Sequence, residues 1–158
     1  MVLSNTIMDA YGILTIIFPH FDTENFSYFI TVIKNGEGGR VGKDMYPNYQ
    51  MSLGGRSDEQ TMLGINCMRV PAKRVIPVTL KIIEMFKKNK RSGDTLSSWI
   101  SRIVEGNENS EIKSISEFKK TLTPLTVPPT MQEDKDFYSD YGSSTGYHTV
   151  TGKGECAA

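Results

Sequence analysis

Residues 49–56 read Tyr-Gln-Met-Ser-Leu-Gly-Gly-Arg, an alternating apolar run that stops at a pair of glycines. A β-strand places alternate side chains on opposite faces, so Tyr49, Met51 and Leu53 share one face and the polar residues between them share the other. The pattern therefore predicts a half-buried strand that ends near Gly54, with the rest of the chain organised around it.

The end of this predicted strand is a candidate binding site, formed by Gly54, Gly55 and Arg56. Glycine has no Cβ, so the pair can adopt positive φ and let backbone amides approach a bulky partner closely. Arg56 adds a permanent cation that can pair with a carboxylate or an oxyanion. A strand followed by an ordinary surface turn explains the same residues, and both interpretations remain open.

The composition indicates one domain with a polar end. A chain of 158 residues can bury one core, and its net charge is zero because 18 basic residues balance 18 acidic ones. A neutral chain predicts no nucleic-acid and no membrane partner. The apolar run at residues 10–18 follows an acidic residue and is closed by Pro19, so we predict neither a signal peptide nor a transmembrane helix.

Basic residues are concentrated between Arg69 and Arg91, where Glu84 is the only acidic residue. Four of them lie at the end of a predicted helix, where the helix dipole favours cations: Lys87, Lys88, Lys90 and Arg91. They form a candidate surface for an acidic partner, with a solvated helix end as the alternative.

The two cysteines, Cys67 and Cys156, are far apart and belong to no C-x-x-C pair. This spacing argues against a disulfide framework or a self-contained metal site, and predicts a reduced, cytoplasmic protein. Cys67 is predicted to be a small buried side chain. Cys156 is a candidate redox thiol, because Lys153 would lower its pKa while Glu155 opposes that effect; a free, non-functional thiol is the alternative. We predict no metal site.

Two helices are predicted after the strands. The first presents one apolar face made of Val78, Ile82, Met85 and Phe86, flanked by Leu80 and Ile83. Ser92 and Gly93 end it, and Asp94 or Thr95 caps the second helix. The second helix has an apolar stripe made of Leu96, Trp99, Ile100 and Ile103. A short third helix over residues 116–122 is predicted to end before Pro124.

These elements predict an α/β (α+β) fold, with a small mixed or antiparallel sheet covered by the helix pair. Further strands are expected within residues 1–20 and at 26–33, and the glycines of residues 36–42 predict a flexible hairpin or loop. We divide the chain into residues 1–122, the folded unit, and residues 123–158, a proline-rich linker followed by an extended acidic and glycine-rich tail.

Four motifs occur in one order along the chain. They are Gly39-Arg40-Val41-Gly42, residues 49–55, residues 70–75 (Val-Pro-Ala-Lys-Arg-Val), and Gly93-Asp94-Thr95 ahead of Trp99. In order and spacing they resemble the C-terminal part of the siroheme-dependent nitrite and sulfite reductases. Residues 136–142 and 152–157 are similar to the D-W-G and G-x-G-E-C-A-G endings of some bacterial members. The resemblance covers residues 36–158 and leaves residues 1–35 unmatched.

The resemblance implies two redox cofactors in the parent family, siroheme and a [4Fe-4S] cluster. The family holds the cluster through four cysteines, the second pair just upstream of the Gly39 region, and this sequence has no cysteine before Cys67. The resemblance also implies that Gly54, Gly55 and Arg56 approach the siroheme or its substrate cavity. Ferredoxin, the acidic electron donor of many members, would then meet the basic helix end at Lys87, Lys88, Lys90 and Arg91.

The sequence therefore predicts a C-terminal fragment or subunit of a ferredoxin-type siroheme nitrite or sulfite reductase. We expect it to be inactive alone, to bind neither cofactor by itself, and to need the remaining part of the reductase. The alternatives are a non-catalytic protein-binding module, in which the helix pair and the acidic tail attach to a partner, and a truncated product of that family. Whether the chain takes part in catalysis stays open.

Overall fold

Five antiparallel strands form one sheet in chain order. The structure is a computed structural model that describes residues 6–8, 13–17, 29–55, 64–106, 112–140, 143 and 145–148. The strands are β1 (Thr6–Met8), β2 (Ile13–Ile17), β3 (Phe29–Val41), β4 (Asp44–Gly55) and β5 (Ile65–Pro71). Every pairing between neighbours is antiparallel, which decides between the mixed and the antiparallel sheet.

Three helices follow the sheet. A short 3-10 turn (Ala72–Arg74) leads into α1 (Val75–Asn89), and then come α2 (Leu96–Val104) and α3 (Ile115–Thr126). Helix α2 packs on β4, and α3 lies against α1 and β5. The α+β class and the helix cover are confirmed, and α3 joins the predicted helix pair in covering the sheet.

The core lies between the helices and one face of β4, as the alternation of that strand predicts. Tyr49, Met51 and Leu53 are buried there, whereas the intervening polar side chains are half-buried. The predicted stripe of α2 is buried in full: Leu96, Trp99, Ile100 and Ile103. Phe118 and Leu122 of α3 complete this cluster of buried residues, which we call the helix-covered core.

Thr95, rather than Asp94, caps α2. The Thr95 side chain accepts a hydrogen bond from the Ser98 amide at 3.1 Å, and the Ser98 hydroxyl accepts one from the Thr95 amide at 3.0 Å. Asp94 instead binds Arg102 of the same helix through two hydrogen bonds of 2.6 Å. Hydrogen bonding to Arg102 lowers the pKa of the Asp94 carboxyl from its usual value.

Of the two structures predicted for residues 36–42, a hairpin or a loop, the structure has the hairpin, and most of these residues belong to strand β3. The turn consists of Gly42 and Lys43. Four residue steps of β3, from Asn35 to Gly39, face two steps of β4, so the strand contains a bulge at the glycines. Gly39 pairs directly with Tyr46, and a Cβ at Gly39 would collide with the Tyr46 ring. Glycine at position 39 therefore leaves the space that the Tyr46 ring occupies over strand β3.

Helix α3 runs through Pro124 to Thr126, so the predictions of a helix end before Pro124 and of an extended linker from residue 123 are wrong. Proline removes one backbone donor, and here the loss falls in the last turn of the helix. Threonine hydroxyls also bind carbonyls of this turn: Thr123 donates to Lys119 O at 2.9 Å, and Thr126 to Thr123 O at 2.9 Å.

Candidate functional site

Gly54, at the end of β4, approaches another element closely, and that element is α2. Its φ is +77°, a conformation that favours glycine. A Cβ at Gly54 would lie 3.2 Å from Ile100 Cγ2. The Ser97 hydroxyl donates a buried hydrogen bond of 2.7 Å to the Gly54 carbonyl. The structure therefore gives Gly54 a role in seating α2 on the sheet.

The other two residues of the predicted cofactor site are only partly described. Gly55 is buried at the end of β4, where it pairs with Phe29 of β3. Arg56 lies outside the described residues. An approach of Gly54, Gly55 and Arg56 to siroheme stays a prediction, and it would have to use a side of the backbone that does not face α2.

Cys67 of β5 is the described thiol, and it is buried as predicted. Burial raises its pKa to about 11, and the nearby charge of Lys119 opposes that shift. The thiol therefore stays protonated at neutral pH, which is the form that neither attacks electrophiles nor binds metals. Within the described ranges, no three His, Cys, Asp or Glu side chains are grouped to hold a metal ion. Cys156 lies outside the described residues.

The face of the sheet opposite the helices is polar at its β4–β5 edge. Ser52 is paired with Asn66, and Gln50 with Arg69, in adjacent positions of the two strands. Asn66 and Arg69 are exposed, whereas Gln50 and Ser52 are half-buried. The Gln50 amide donates a hydrogen bond of 2.9 Å to the Met68 carbonyl, which fixes its side chain across the strands. We call these four residues the polar sheet face.

The predicted basic surface lies where the sequence places it. Lys87 and Lys88 are in the last turn of α1, Lys90 and Arg91 follow directly, and all four are exposed. The Arg91 amide donates to the Asp94 carboxylate at 2.6 Å, and this carboxylate also binds Arg102. The turn between α1 and α2 is therefore held in place, and the four cations lie within residues 87–91, at the C-terminal end of α1 and in the turn.

Aromatic side chains attach the tail to the β3–β4 hairpin, through residues that the sequence analysis did not name as contacts. Phe137 and Tyr138 are buried against Tyr46 of β4, with ring centroids 5.5 and 6.0 Å from the Tyr46 ring. The Tyr138 hydroxyl donates to the Pro129 carbonyl at 2.6 Å. We call Tyr46, Phe137 and Tyr138 the tail cluster. An aromatic pair within a polar tail is the signal that could have predicted it.

Electrostatic contacts surround the tail cluster. Lys73 forms an ion pair of 2.9 Å with Asp136 and lowers the pKa of that carboxyl. The Arg74 guanidinium lies 5.5 Å from the centre of the Phe137 ring, a cation–π contact. A shallow cavity of about 280 Å³ opens beside the cluster, and it is lined by Met131, Lys135, Asp136, Tyr138, Ser139, Ser143 and Gly146.

Comparison of the chain with protein-family models, with curated proteins and with solved structures gives no match. Of the helices that the structure describes, none has both the length and the apolar character that crossing a membrane requires.

Proposed function

We propose that this chain is the C-terminal portion, or a small subunit, of a ferredoxin-dependent siroheme nitrite or sulfite reductase. In this proposal it contributes a scaffold of sheet and helices, not the redox centres. Residues outside this sequence, in the same or another polypeptide, supply the four cysteines of the cluster. The portion described here reduces neither nitrite nor sulfite by itself, and the complete enzyme works in the cytoplasm.

The observation that carries this proposal is that three of the four motifs lie in β4 or against it, and the fourth precedes a helix that packs on β4. Residues 39–42 join β3 to the turn before β4, and residues 49–55 are the C-terminal half of β4. Residues 70–75 connect β5 to α1, and residues 93–95 precede α2, which packs on β4. The resemblance thus describes one contiguous structural unit, which supports the proposal more than separate local matches would.

The described residues do not fit a siroheme or iron–sulfur site by themselves. A cysteine-ligated [4Fe-4S] cluster needs four thiolates, and the sequence has two cysteines, of which Cys67 is buried and protonated. The side of Gly54 on which a Cβ would lie is covered by Ile100. We therefore derive no catalytic step from these residues and assign both cofactors to the complete enzyme.

Two surfaces suit the partners that this proposal requires. The polar sheet face, on which Asn66 and Arg69 are exposed, is the surface against which the remainder of the reductase packs in this proposal. The cations Lys87, Lys88, Lys90 and Arg91 suit an acidic ferredoxin. If that is their role, binding of ferredoxin will weaken as salt rises, and Lys87→Ala combined with Lys90→Ala will reduce this dependence. Binding that ignores salt would contradict it.

Complementation tests the proposal. The tagged chain is co-expressed, in a host that makes siroheme, with the cluster-bearing part of a siroheme nitrite reductase that lacks its own C-terminal portion. We expect the two to co-purify with siroheme absorption and to reduce nitrite or sulfite with a chemical electron donor. Failure to co-purify, or a complex without siroheme and activity, would contradict the proposal.

Within that complex, Arg56→Ala tests the predicted cofactor site. We expect lower siroheme content or slower turnover, because a cation paired with a carboxylate or oxyanion is lost. Lys120→Ala is the control, since Lys120 is an exposed cation of α3 that lies outside the four motifs. Unchanged siroheme content and turnover in Arg56→Ala would show that Arg56 has no such role.

A non-catalytic binding module is the second candidate, and one observation favours it. Ile76 and Leu80, one helical turn apart on α1, are 55% and 44% exposed and form adjacent apolar surface. A module of this kind would co-purify with a partner but never with siroheme, so the complementation experiment separates the two candidates.

A further inference from the structure

The outer face of α1 carries a short apolar stripe. Ile76 and Leu80 are exposed, and Ile83, one turn further along, is half-buried. The spacing i, i+4, i+7 aligns the three side chains along the helix, on a side next to the buried face that contains Ile82. The sequence analysis placed Leu80 and Ile83 at the flank of the buried face, and the structure leaves Ile83 half-buried and Leu80 exposed there.

Positive charge borders this stripe. Lys87 continues the same line one turn beyond Ile83, and Lys88 lies beside it; both are exposed. The single acid of the helix, Glu84, forms an ion pair of 3.0 Å with Lys81. The stripe therefore ends at the exposed cation Lys87, while Glu84 is paired with Lys81, and the wider segment from Arg69 to Arg91 has eight basic residues against this one acid.

The charge decides between three occupants. A second copy of the chain would bring two surfaces of the same sign together, which opposes self-association through this face. An anionic membrane fits the charge, but helices that lie in the membrane surface carry a wide apolar face with aromatic residues, whereas this stripe has three aliphatic side chains over about 10 Å. An acidic protein segment satisfies both the apolar stripe and the positive charge.

We propose that the stripe binds an acidic amphipathic helix of a partner protein. Apolar side chains of that helix, spaced i, i+4, i+7, pack on Ile76, Leu80 and Ile83, and its carboxylates lie near Lys87 and Lys88. The contact needs neither siroheme nor the remainder of a reductase. Its failure in a binding experiment would leave the complementation experiment unaffected, and the converse also holds.

A labelled synthetic peptide tests this proposal by fluorescence anisotropy with the full chain. The peptide has leucines at i, i+4, i+7 and i+11 with glutamates between them, and a scrambled peptide of identical composition is the control. We expect the chain to bind the amphipathic peptide at least about tenfold more tightly than the scrambled one. Leu80→Glu, or Ile76→Glu as a second variant, is expected to weaken binding by about tenfold or more, since it places like charge in the contact.

Two further variants complete the experiment. Val127→Glu is the matched control, because Val127 is an aliphatic residue 60% exposed on a different part of the surface, and it is expected to leave binding unchanged. Lys87→Glu is expected to weaken binding several-fold and to reduce its dependence on salt. Circular dichroism confirms that each variant is folded.

Several outcomes would overturn the proposal. They are equal binding of the scrambled peptide, binding that survives both Leu80→Glu and Ile76→Glu, and a homodimer in sedimentation that Leu80→Glu dissociates. Binding to vesicles of phosphatidylserine and phosphatidylcholine, with no binding of the peptide, would assign the stripe to a membrane surface instead.

Discussion

The helix-covered core and the tail cluster stabilise the same strand, β4, in different ways. The core packs aliphatic residues, Trp99 and Phe118 from three helices against Tyr49, Met51 and Leu53. The tail cluster is made of three aromatic rings, and Tyr46 is its contribution from β4. Burial in the core is shared among many side chains, whereas the tail depends on a few. We therefore expect core substitutions to unfold the chain and tail substitutions to release the tail alone.

Trp99→Ala should have the largest effect. Trp99 is fully buried and contacts the rings of Phe86 and Phe118, with centroids 5.7 and 5.9 Å away, so the cavity should lower the free energy of unfolding by about 3–5 kcal/mol. Trp99→Phe is the control, because it keeps an aromatic ring and removes an indole N–H that has no hydrogen-bond partner among the described residues. This substitution should lower the free energy of unfolding by less than about 1.5 kcal/mol. Urea denaturation measures both. Equal losses would show that the ring contacts do not matter.

Gly54→Ala should come next, because it tests how closely β4 and α2 pack. The new methyl group must accept φ +77° and a contact of 3.2 Å with Ile100, which together should cost about 2 kcal/mol. Gly93→Ala is the matched control, since Gly93 has φ +79° and nothing within 4 Å of a Cβ. We expect that variant to lose about 1 kcal/mol, from backbone strain alone. If both variants lose the same amount in urea denaturation, the contact with α2 is not tight.

Tyr138→Ala should release the tail while the core stays folded. Loss of the ring removes its contacts with Tyr46 and Phe137, so the open state of the tail should become about 30-fold more populated, equivalent to about 2 kcal/mol. Hydrogen exchange at the amide of Tyr147, which donates to the Tyr138 carbonyl at 2.8 Å, measures this opening. Tyr138→Phe keeps the ring and loses only the hydrogen bond to the Pro129 carbonyl, which should lower the free energy of opening the tail by about 1 kcal/mol. Exchange that rises equally throughout α2 would contradict separate opening.

The ion pair between Asp94 and Arg102 should give the smallest effect, about 1 kcal/mol at neutral pH. Folding lowers the pKa of the Asp94 carboxyl. The ion pair therefore stabilises the fold above the pKa of an unfolded aspartate, about 3.9, and this stabilisation is lost as the pH falls through the pKa of folded Asp94. Asp94→Asn should therefore be less stable than the original chain at pH 7, and the difference should narrow below about pH 4. Thermal unfolding between pH 7 and pH 3 measures it; a constant difference would contradict the assignment.

Local patterns predicted the parts of the fold that depend on neighbouring residues. Alternation located the core face of β4, the apolar spacing located the stripe of α2, and Thr95 was one of two proposed caps. Contacts between distant residues could not be predicted in this way. Gly39 is covered by Tyr46 only because β3 and β4 pair, and the tail cluster joins residues 46 and 137.

The candidate site shows the same limit. The sequence indicated that Gly54 can adopt positive φ, and its φ is +77°; the residue that lies against it is Ile100, 46 positions further along the chain. The cluster of cations at the end of α1 was predicted because helix and charge are both local properties. The exposed stripe of α1 was not, since its orientation depends on which face packs against β5 and α3.

The most direct test of the central claim, that this chain is a scaffold and holds no redox centre alone, is an absorption spectrum. The chain is purified from a host that makes siroheme, and its visible spectrum is recorded together with its iron content. The account predicts a folded, colourless protein without stoichiometric iron. Siroheme bands with stoichiometric iron would contradict it, because a cofactor site would then exist without the four cysteines and the cluster-bearing part.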